Sequence, residues 1–402
     1  MSIIGIVTEF DPFHLGHAHL VEQVRRQFGP ETTVVAAMSG DFTQRGSCAS
    51  FDRHLRAQLA LLGGVDLVVE LPLPWAISSA EAFGQGGILA LLAAGVEGLA
   101  FGSECGDVDR LGRVACALES PDYPARLKEA LTAGTSFAAA RQAALTTLVG
   151  EDACLLEGPN DLLGVSYLAA LRRAGAALSV TAIPRRGPGH NASQAVGGLS
   201  SASTIRALLR QGAVEQALTA LPVPCRAPVQ QAMERGMGPA DLCHNQRGLL
   251  TRLRCMTPAD FLQLPDCSEG LENRLFRAAQ AARSLEELYA LARSKRYPMA
   301  RIRRMVLWAY LGLTAAHRPN TLPYLRVLGM NDRGRAQLHR IKKAVPLLTK
   351  PAAVSHISPP AQALFALEVR ANDLWRLCLP DLSHSAGGQE WRSGPVYLPG
   401  QR

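Results

Sequence analysis

Gly5-Ile6-Val7-Thr8-Glu9-Phe10-Asp11-Pro12-Phe13-His14-Leu15-Gly16-His17 is the stretch that decides how the chain is read. Residues 3–7 form an apolar run of strand length that stops at Glu9 and Asp11; a proline follows, and helical periodicity begins near Gly16. A strand that turns directly into a helix is the first half of a β-α-β unit. The helix start presents unpaired N–H groups and partial positive charge, which suit a phosphate. His14 and His17 can add imidazole donors to phosphate oxygens, and Gly16 lets a nucleotide lie close to the backbone. Such donors would stabilise charge building on the α- and β-phosphates as pyrophosphate leaves. Out of context an HxGH tetrad is weak evidence, and a single histidine is more often structural. Directly behind a first strand, the phosphate reading is the stronger one.

Outward from this unit, the first half alternates apolar runs with amphipathic stretches, which predicts an α/β fold with a doubly wound parallel sheet. Strands are expected at 3–7, 33–38, 66–71, 98–101 and 178–183, and ligands should bind beyond their carboxyl ends. Leu20, Val21, Val24 and Phe28 fall on one helical face, and Leu55, Leu59 and Leu62 on another that Gly63-Gly64 stops. A helix is expected over 161–171. Leu199-Ser200-Ser201-Ala202-Ser203-Thr204-Ile205-Arg206 reads either as a Ser-capped helix or as a second anion site, with Ser201 and Ser203 hydroxyls at a helix start and Arg206 one turn on. Paired with HxGH, the anion site is favoured.

From about residue 221 helical periodicities follow one another (271–283, 285–293, 300–313) with few strands, so residues 1–220 are expected as the catalytic domain and 221–402 as a mainly helical one. The second half carries basic clusters at 295–304 and 333–343. Alone, each would be a solvated helix face. Together with a nucleotide site, Lys295, Arg296, Arg301, Arg303 and Arg304 become candidates for holding a polyanionic partner. The tail after Pro380, with Ser383, Ser385, Gly387 and Gly388, is expected to be loosely ordered.

Composition bounds the function. With 402 residues, 48% hydrophobic, the chain can bury a sizeable core, and a net charge of +8 favours a polyanionic partner. Nine cysteines (Cys48, Cys105, Cys116, Cys154, Cys225, Cys243, Cys255, Cys267, Cys378) never form a CxxC pair, which excludes a zinc ribbon or a disulfide framework and predicts reduced thiols. His190, His244, His317, His339, His356 and His384 lack metal-ligand spacing, no Walker A loop occurs, and the glycines at 84, 86 and 87 are too irregular for a dinucleotide fingerprint. Neither a signal peptide nor a membrane span is apparent, so a cytoplasmic protein is expected.

The HxGH tetrad in this setting resembles the signature of the nucleotidyltransferase superfamily related to class I aminoacyl-tRNA synthetases. A narrower likeness is carried by Met38-Ser39-Gly40-Asp41-Phe42-Thr43-Gln44-Arg45-Gly46 with Asp52 and Arg56, by Phe101-Gly102-Ser103-Glu104, by Pro159-Asn160-Asp161-Leu162-Leu163-Gly164 and by Ile183-Pro184-Arg185-Arg186. It continues through Glu269-Gly270-Leu271-Glu272-Asn273-Arg274, Lys295-Arg296-Tyr297 and Pro323-Tyr324-Leu325-Arg326-Val327-Leu328-Gly329. These blocks, in order to about residue 350, are similar to the bacterial tRNA(Met) cytidine acetate ligase family.

The resemblance implies a sheet of nucleotidyltransferase (HUP, Rossmann-like) type. It also implies an enzyme that makes acetyl-adenylate from acetate and ATP, then acetylates the wobble cytidine of elongator tRNA(Met). Carried over by motif, ATP contacts are expected from Val7, Thr8, Glu9, Phe10, Asp11, Pro12, Phe13, His14, Leu15, Gly16, His17, Ala18, His19 and Leu20, then Gly102, Asn160 and Arg185. On the residues alone, these last three read first as a turn glycine, a helix cap and a solvent arginine. His14, His17, Ser201, Ser203 and Arg206 would manage phosphate charge. Mg2+ would arrive with the ATP phosphates, helped by Asp11. The chain departs from the family pattern at Asp11, where asparagine is usual, at Ser47-Cys48 for Glu-Pro, and at Gly189-His190-Asn191. Two rivals remain at this stage: an adenylyl- or cytidylyltransferase for a small phosphorylated metabolite, and a catalytically silent protein that binds ATP and RNA.

Overall fold

The apolar runs become the five parallel strands β1 (Ile3–Thr8), β2 (Thr33–Ser39), β3 (Leu67–Leu71), β4 (Gly98–Ser103) and β5 (Ser179–Pro184), within two residues of the expected bounds. The computed structural model describes residues 2–132, 137–185, 201–294, 296–341 and 345–399. β2 and β3 are buried along their whole length, as continuous apolar runs in a two-faced parallel sheet should be. The strand order is β5-β4-β1-β2-β3, so the direction of winding reverses between β1 and β4. Their carboxyl ends therefore part into a crevice, and HxGH follows directly on β1.

Alternation along the strands splits the core in two. Ile4, Ile6, Val34 and Ala36 face α1 (Leu15–Phe28) and α2 (Arg53–Leu62). Ile3, Val35 and Ala37 face α3 (Ala80–Ala93). On that second side also lie α4 (Tyr123–Thr132), α5 (Phe137–Val149) and α6 (Pro159–Arg173), while α7 (Ala202–Arg210) joins the first side through Ile205 and Leu209. The glycines of α3 have a packing role: a Cβ at Gly87 would stand 2.6 Å from Val7 Cγ1, and one at Gly86 2.5 Å from the Trp75 side chain. They let α3 lie directly on the sheet.

The second half is mainly helical, with helices Leu271–Ala281, Leu285–Ala292 and α8 (Met299–Leu311) close to their expected bounds. They bury Leu275, Leu288 and Trp308 in a cluster that also takes in Phe42, Leu73 and Ile77 from the first half. Trp308 Nε1 donates to the Ile77 carbonyl at 2.9 Å, so the halves share one interior.

Sequence periodicity did not reveal the return of the chain to the sheet. β6 (Leu325–Met330) pairs antiparallel with β3, followed by α9 (Asp332–Ile341), β7 (Leu347–Leu348) and α10 (Pro359–Arg376). The tail, expected to be loosely ordered, is anchored: β8 (Val396–Tyr397) pairs with β6, and Glu390 is 1% exposed. Its carboxylate lies 3.2 Å from Arg53, 2.9 Å from Arg326 and 3.0 Å from His54, a set of partners that outweighs the tail's polar composition. Among the described residues, no helix is long and apolar enough to cross a membrane.

Candidate active site

His14 is the N-cap of α1, and its Nδ1 accepts from the Gly16 N–H at 2.9 Å. The His14 N–H donates in turn to His17 Nδ1 at 3.3 Å, so two imidazoles form the capping box that Ser and Glu more often provide. Because both Nδ1 atoms accept, the network assigns the proton of each ring to Nε2, leaving it as a donor. The rings stack with centroids 3.9 Å apart. Burial, reinforced by Arg185 and Arg206, lowers the His14 pKa to about 3. Burial, then the neighbouring His14, holds His17 well below the usual range. Both are therefore neutral donors at physiological pH. Gly16 has a second reason to be glycine: a Cβ there would lie 2.7 Å from His14 Cε1.

The loop before the tetrad is braced from below. Phe10 takes a left-handed φ of 44°, a conformation that costs a non-glycine residue about 1–3 kcal/mol. Edge contacts with Phe13 at 4.8 Å and His17 at 4.9 Å hold it there. Arg56, fully buried, donates to the carbonyls of Phe51, Ser39, Gly40 and Glu9, tying the loops after β1 and β2 together. Asp11 Oδ1 accepts from the Ser50 N–H at 2.6 Å. Its Oδ2 is buried without a hydrogen bond, with Arg206 Nη1 at 3.8 Å; Arg206 itself donates to the Asp11 carbonyl at 2.7 Å.

Across the switch point, β4 leads into Glu104, which accepts from the N–H groups of Asn160 and Asp161 at the start of α6. Asn160 Nδ2 donates to the same carboxylate at 2.5 Å, and Asn160 Oδ1 accepts from Arg185 Nη1 at 2.9 Å. Asn160 thus joins β4, α6 and the end of β5 at one point. A Cβ at Gly102 would reach Arg185 Cγ at 3.4 Å, an ordinary contact, so packing alone does not demand glycine there.

These elements surround a cleft of about 1650 Å3. Of the expected nucleotide residues it is lined by Val7, Thr8, Glu9, Phe10, Asp11, His14, Gly16, His17, His19, Leu20, Gly102, Asn160 and Arg185. Pro12, Phe13, Leu15 and Ala18 are not brought to it. Phe13 is buried against Gly63, the Leu15 N–H is spent on the Ala220 carbonyl at 3.0 Å, and Ala18 packs on the core.

Of the second phosphate element, Arg206 and Ala202 reach the cleft, whereas Ser201 and Ser203 do not line it. The Ser201 hydroxyl caps α7, accepting from the Thr204 N–H at 3.2 Å, and lies 2.7 Å from Ser203 Oγ. Leu199, Ser200 and Gly189-His190-Asn191 fall outside the described residues, as does Lys295.

Arg296, Arg301, Arg303 and Arg304 line the same cleft from the helical half. Among the described residues, ten arginines face it against five carboxylates, Glu9, Asp11, Glu81, Asp266 and Glu269, so it is an anion site by charge. Arg301 and Arg303 lie over the rings of Tyr297 and Tyr289 at 5.5 and 5.6 Å. Gly46 brings the β2 loop onto α8, where a Cβ would lie 2.5 Å from the Arg303 carbonyl carbon. Motif reading gives no site role to two features of the cleft: Arg45, on that loop, which the motif block contains, and an apolar patch contributed by α4 and α5. Half-exposed leucines on amphipathic helices carry no signal in a sequence. Among the described residues, no group of three His, Cys, Asp or Glu side chains could cage a metal.

Fold and site together define an HxGH nucleotidyltransferase, and the family model described as HIGH Nucleotidyl Transferase matches residues 1–390. Curated relatives named tRNA(Met) cytidine acetate ligase include those of Alkaliphilus metalliredigens and Caldicellulosiruptor saccharolyticus. Each is 34% identical, with 99% of either chain covered. The crystal structure of Thermotoga maritima TmcAL in its apo form I superposes with a TM-score of 0.94 at 29% identity, covering 100% of both chains. The structure of that protein bound with alpha-thio ATP gives 0.92 at 30% identity, again over 100% of both. The chain belongs to the tRNA(Met) cytidine acetate ligase family.

Proposed function

We propose that the chain is an ATP-dependent ligase that activates acetate as acetyl-adenylate and acetylates the wobble cytidine of elongator tRNA(Met) to N(4)-acetylcytidine. The observation that carries this reading is one cleft in which two neutral imidazole donors stand opposite the arginines of α8. ATP lies along β1 and β4, where Gly102, Asn160 and Arg185 meet its nucleoside and the HxGH turn its phosphates. Acetate oxygen attacks the α-phosphorus, pyrophosphate leaves, and the cytidine amine then attacks the mixed anhydride and releases AMP. His14, His17 and Arg206 stabilise the oxygens that gain charge; Ser201 and Ser203 order the start of α7, which aims Arg206. An acetyl-adenylate needs no covalent enzyme intermediate, but it needs protection from water, which the deep cleft provides.

Residues 1–220 act as the catalytic unit and 221–402 as the tRNA-holding unit, with Arg296, Arg301, Arg303 and Arg304, and by its place in the sequence Lys295, on phosphates of the anticodon arm. The tRNA substrate places the reaction in the cytoplasm. Mg2+ fits through Asp11, whose buried Oδ2 has no hydrogen bond; together with ATP oxygens it would hold an ion that neutralises phosphate charge. A transferase for a small phosphorylated metabolite would not need the arginine-lined extension of the cleft. A silent ATP- and RNA-binding protein would not need two imidazoles tautomerically fixed as donors. Acetate-dependent exchange of labelled pyrophosphate into ATP tests the first half-reaction. Exchange that requires a phosphorylated metabolite instead of acetate contradicts it.

A further inference from the structure

The cleft, at about 1650 Å3, exceeds the roughly 300–1,000 Å3 of a site shaped to one small ligand, and its walls differ in chemistry. On the α1 and α7 side stand His14, His17 and Arg206. On the α3 and α6 side an apolar patch is formed by Leu127 and Leu131 of α4 and the exposed Phe137 of α5, with the buried Phe83 of α3 behind them and the charged Glu81, Arg141 and Arg173 around it.

Glu9 belongs to this second side. A Cβ at Gly5 would meet Leu91 of α3 at 2.8 Å and Val7 lies against Gly87, so these strand positions face α3, and Glu9 follows directly after the strand ends at Thr8. Glu9 Oε1 accepts from the Gln44 N–H at 2.6 Å, and Gln44 Nε2 donates to the Ser78 carbonyl at 3.2 Å, at the foot of α3. One oxygen is thereby fixed on the protein, and the other is left for the cleft. Tyr167 of α6 stands near this carboxylate, and among the described residues nothing bonds its hydroxyl. A carboxylate aimed at a triphosphate would repel it, so beyond the charges of Arg206 and Arg45 that act on it, Glu9 is suited to a donor.

We propose that Glu9 is the acceptor for the N4 amine of the incoming cytosine, which stacks against the apolar patch of α4 and α5 with its reactive edge toward the acyl-adenylate. The proposal rests on the acetyl-transfer reading and assigns its second half-reaction. Carboxylates recognise cytosine through N4, whereas the O4 of uracil would face Glu9 with a second acceptor. A base splayed from a single-stranded loop is commonly held by stacking of this kind. The N4 lone pair attacks the carbonyl carbon of the anhydride, the C–N bond forms, and the C–O bond to AMP breaks with its electron pair leaving on the phosphate. Glu9 takes the N4 proton.

The charged and titratable groups that face Glu9 are Arg206 of α7, Arg45 of the β2 loop, Asp11 and Tyr167.

The test compares two measurements on the full chain, acetate-dependent pyrophosphate exchange and single-turnover transfer from preformed acetyl-adenylate to tRNA. Glu9→Gln keeps an acceptor for the Gln44 N–H and should lose at least about 100-fold more in transfer than in exchange, the lower end of what a general base contributes. Glu9→Asp, which restores a carboxylate with a shorter reach, should recover part of the transfer that Glu9→Gln loses. Parallel loss of exchange and transfer, or unimpaired transfer, overturns the assignment of Glu9. Absence of acetate-dependent exchange in the wild type contradicts the ligase reading instead.

Discussion

The two histidines of HxGH divide their nitrogens between structure and chemistry. The sequence shows that His14 and His17 open a helix, but only the structure shows that each Nδ1 is occupied by a backbone N–H and each Nε2–H is left over. That division makes separable predictions. His17→Ala should reduce acetyl-adenylate formation by about 100- to 1000-fold, the usual cost of removing one donor to developing charge. His14→Asn keeps an acceptor for the Gly16 N–H and loses the distal donor, so it should melt near the wild type while losing comparable activity. His14→Ala should also lose about 1 kcal/mol with the cap, read by urea melts. Because His14 titrates near 3 and His17 well below its usual range, the pair stays neutral as pH moves between 5 and 8 and should add no inflection to the rate of adenylate formation there. The role of Gly16 was half legible: its need to clear the His14 ring follows from a rotamer no sequence displays.

At the scale of elements, the five parallel strands and the helices of the second half were legible because continuous apolar runs and 3.6-residue periods come from burial itself. β6 was not, since Arg326 interrupts its apolar run and is accommodated by Glu70, Glu390 and the Phe365 ring, far away in sequence. The two basic clusters looked alike as composition and prove different. On α9, Arg333 bonds Glu31 at 2.9 Å and Arg340 lies 3.8 Å from Glu97, so these two arginines are paired with carboxylates outside the cleft. On α8 and the turn before it, Arg296 and Arg303 are exposed along the cleft, whereas Arg301 is engaged with the Asp266 carbonyl at 2.8 Å and Ser268 Oγ at 2.9 Å. Replacing Arg296 and Arg303 with alanine should therefore weaken tRNA binding without unfolding the turn. The slope of log affinity against log salt should flatten by roughly 0.7–0.9 for each phosphate deprived of its arginine. Unchanged affinity in a filter-binding titration would return these arginines to the solvated surface.

Over the whole molecule, a buried ionic cluster joins segments that are distant in sequence. Arg53 bonds Asp41 of the β2 loop and reaches Glu70 of β3 at 2.5 Å and Glu390 of the tail at 3.2 Å, while Asn372 of α10 donates to Asp41 at 2.8 Å. The loop that presents Gln44 and Arg45 to the cleft is thus held in part by the last residues of the fold. Removing one member of a buried cluster strands the others, so Glu390→Ala should cost about 3–5 kcal/mol in urea melts.

Burial alone would lower the His54 pKa, but the hydrogen bond to Glu390 and the charge of Asp52 outweigh it and raise it. The stabilisation from that raised value is complete below the unfolded value of about 6.5 and is lost as pH rises through the folded one. The wild type should therefore lose stability across that interval, and His54→Gln should lack this slope. None of this could be read from the tail, whose glycines and serines look unstructured until the partners of Glu390 are known.

The central claim, acetyl transfer through an adenylate to a cytidine amine, is tested most directly by the modified nucleoside. The protein is incubated with ATP, magnesium, acetate and elongator tRNA(Met), and the digested tRNA is analysed by mass spectrometry. The account predicts one N(4)-acetylcytidine at the wobble position, dependent on both ATP and acetate. Acetylation from acetyl-CoA without ATP, or transfer of a nucleotide in place of an acetyl group, would contradict it.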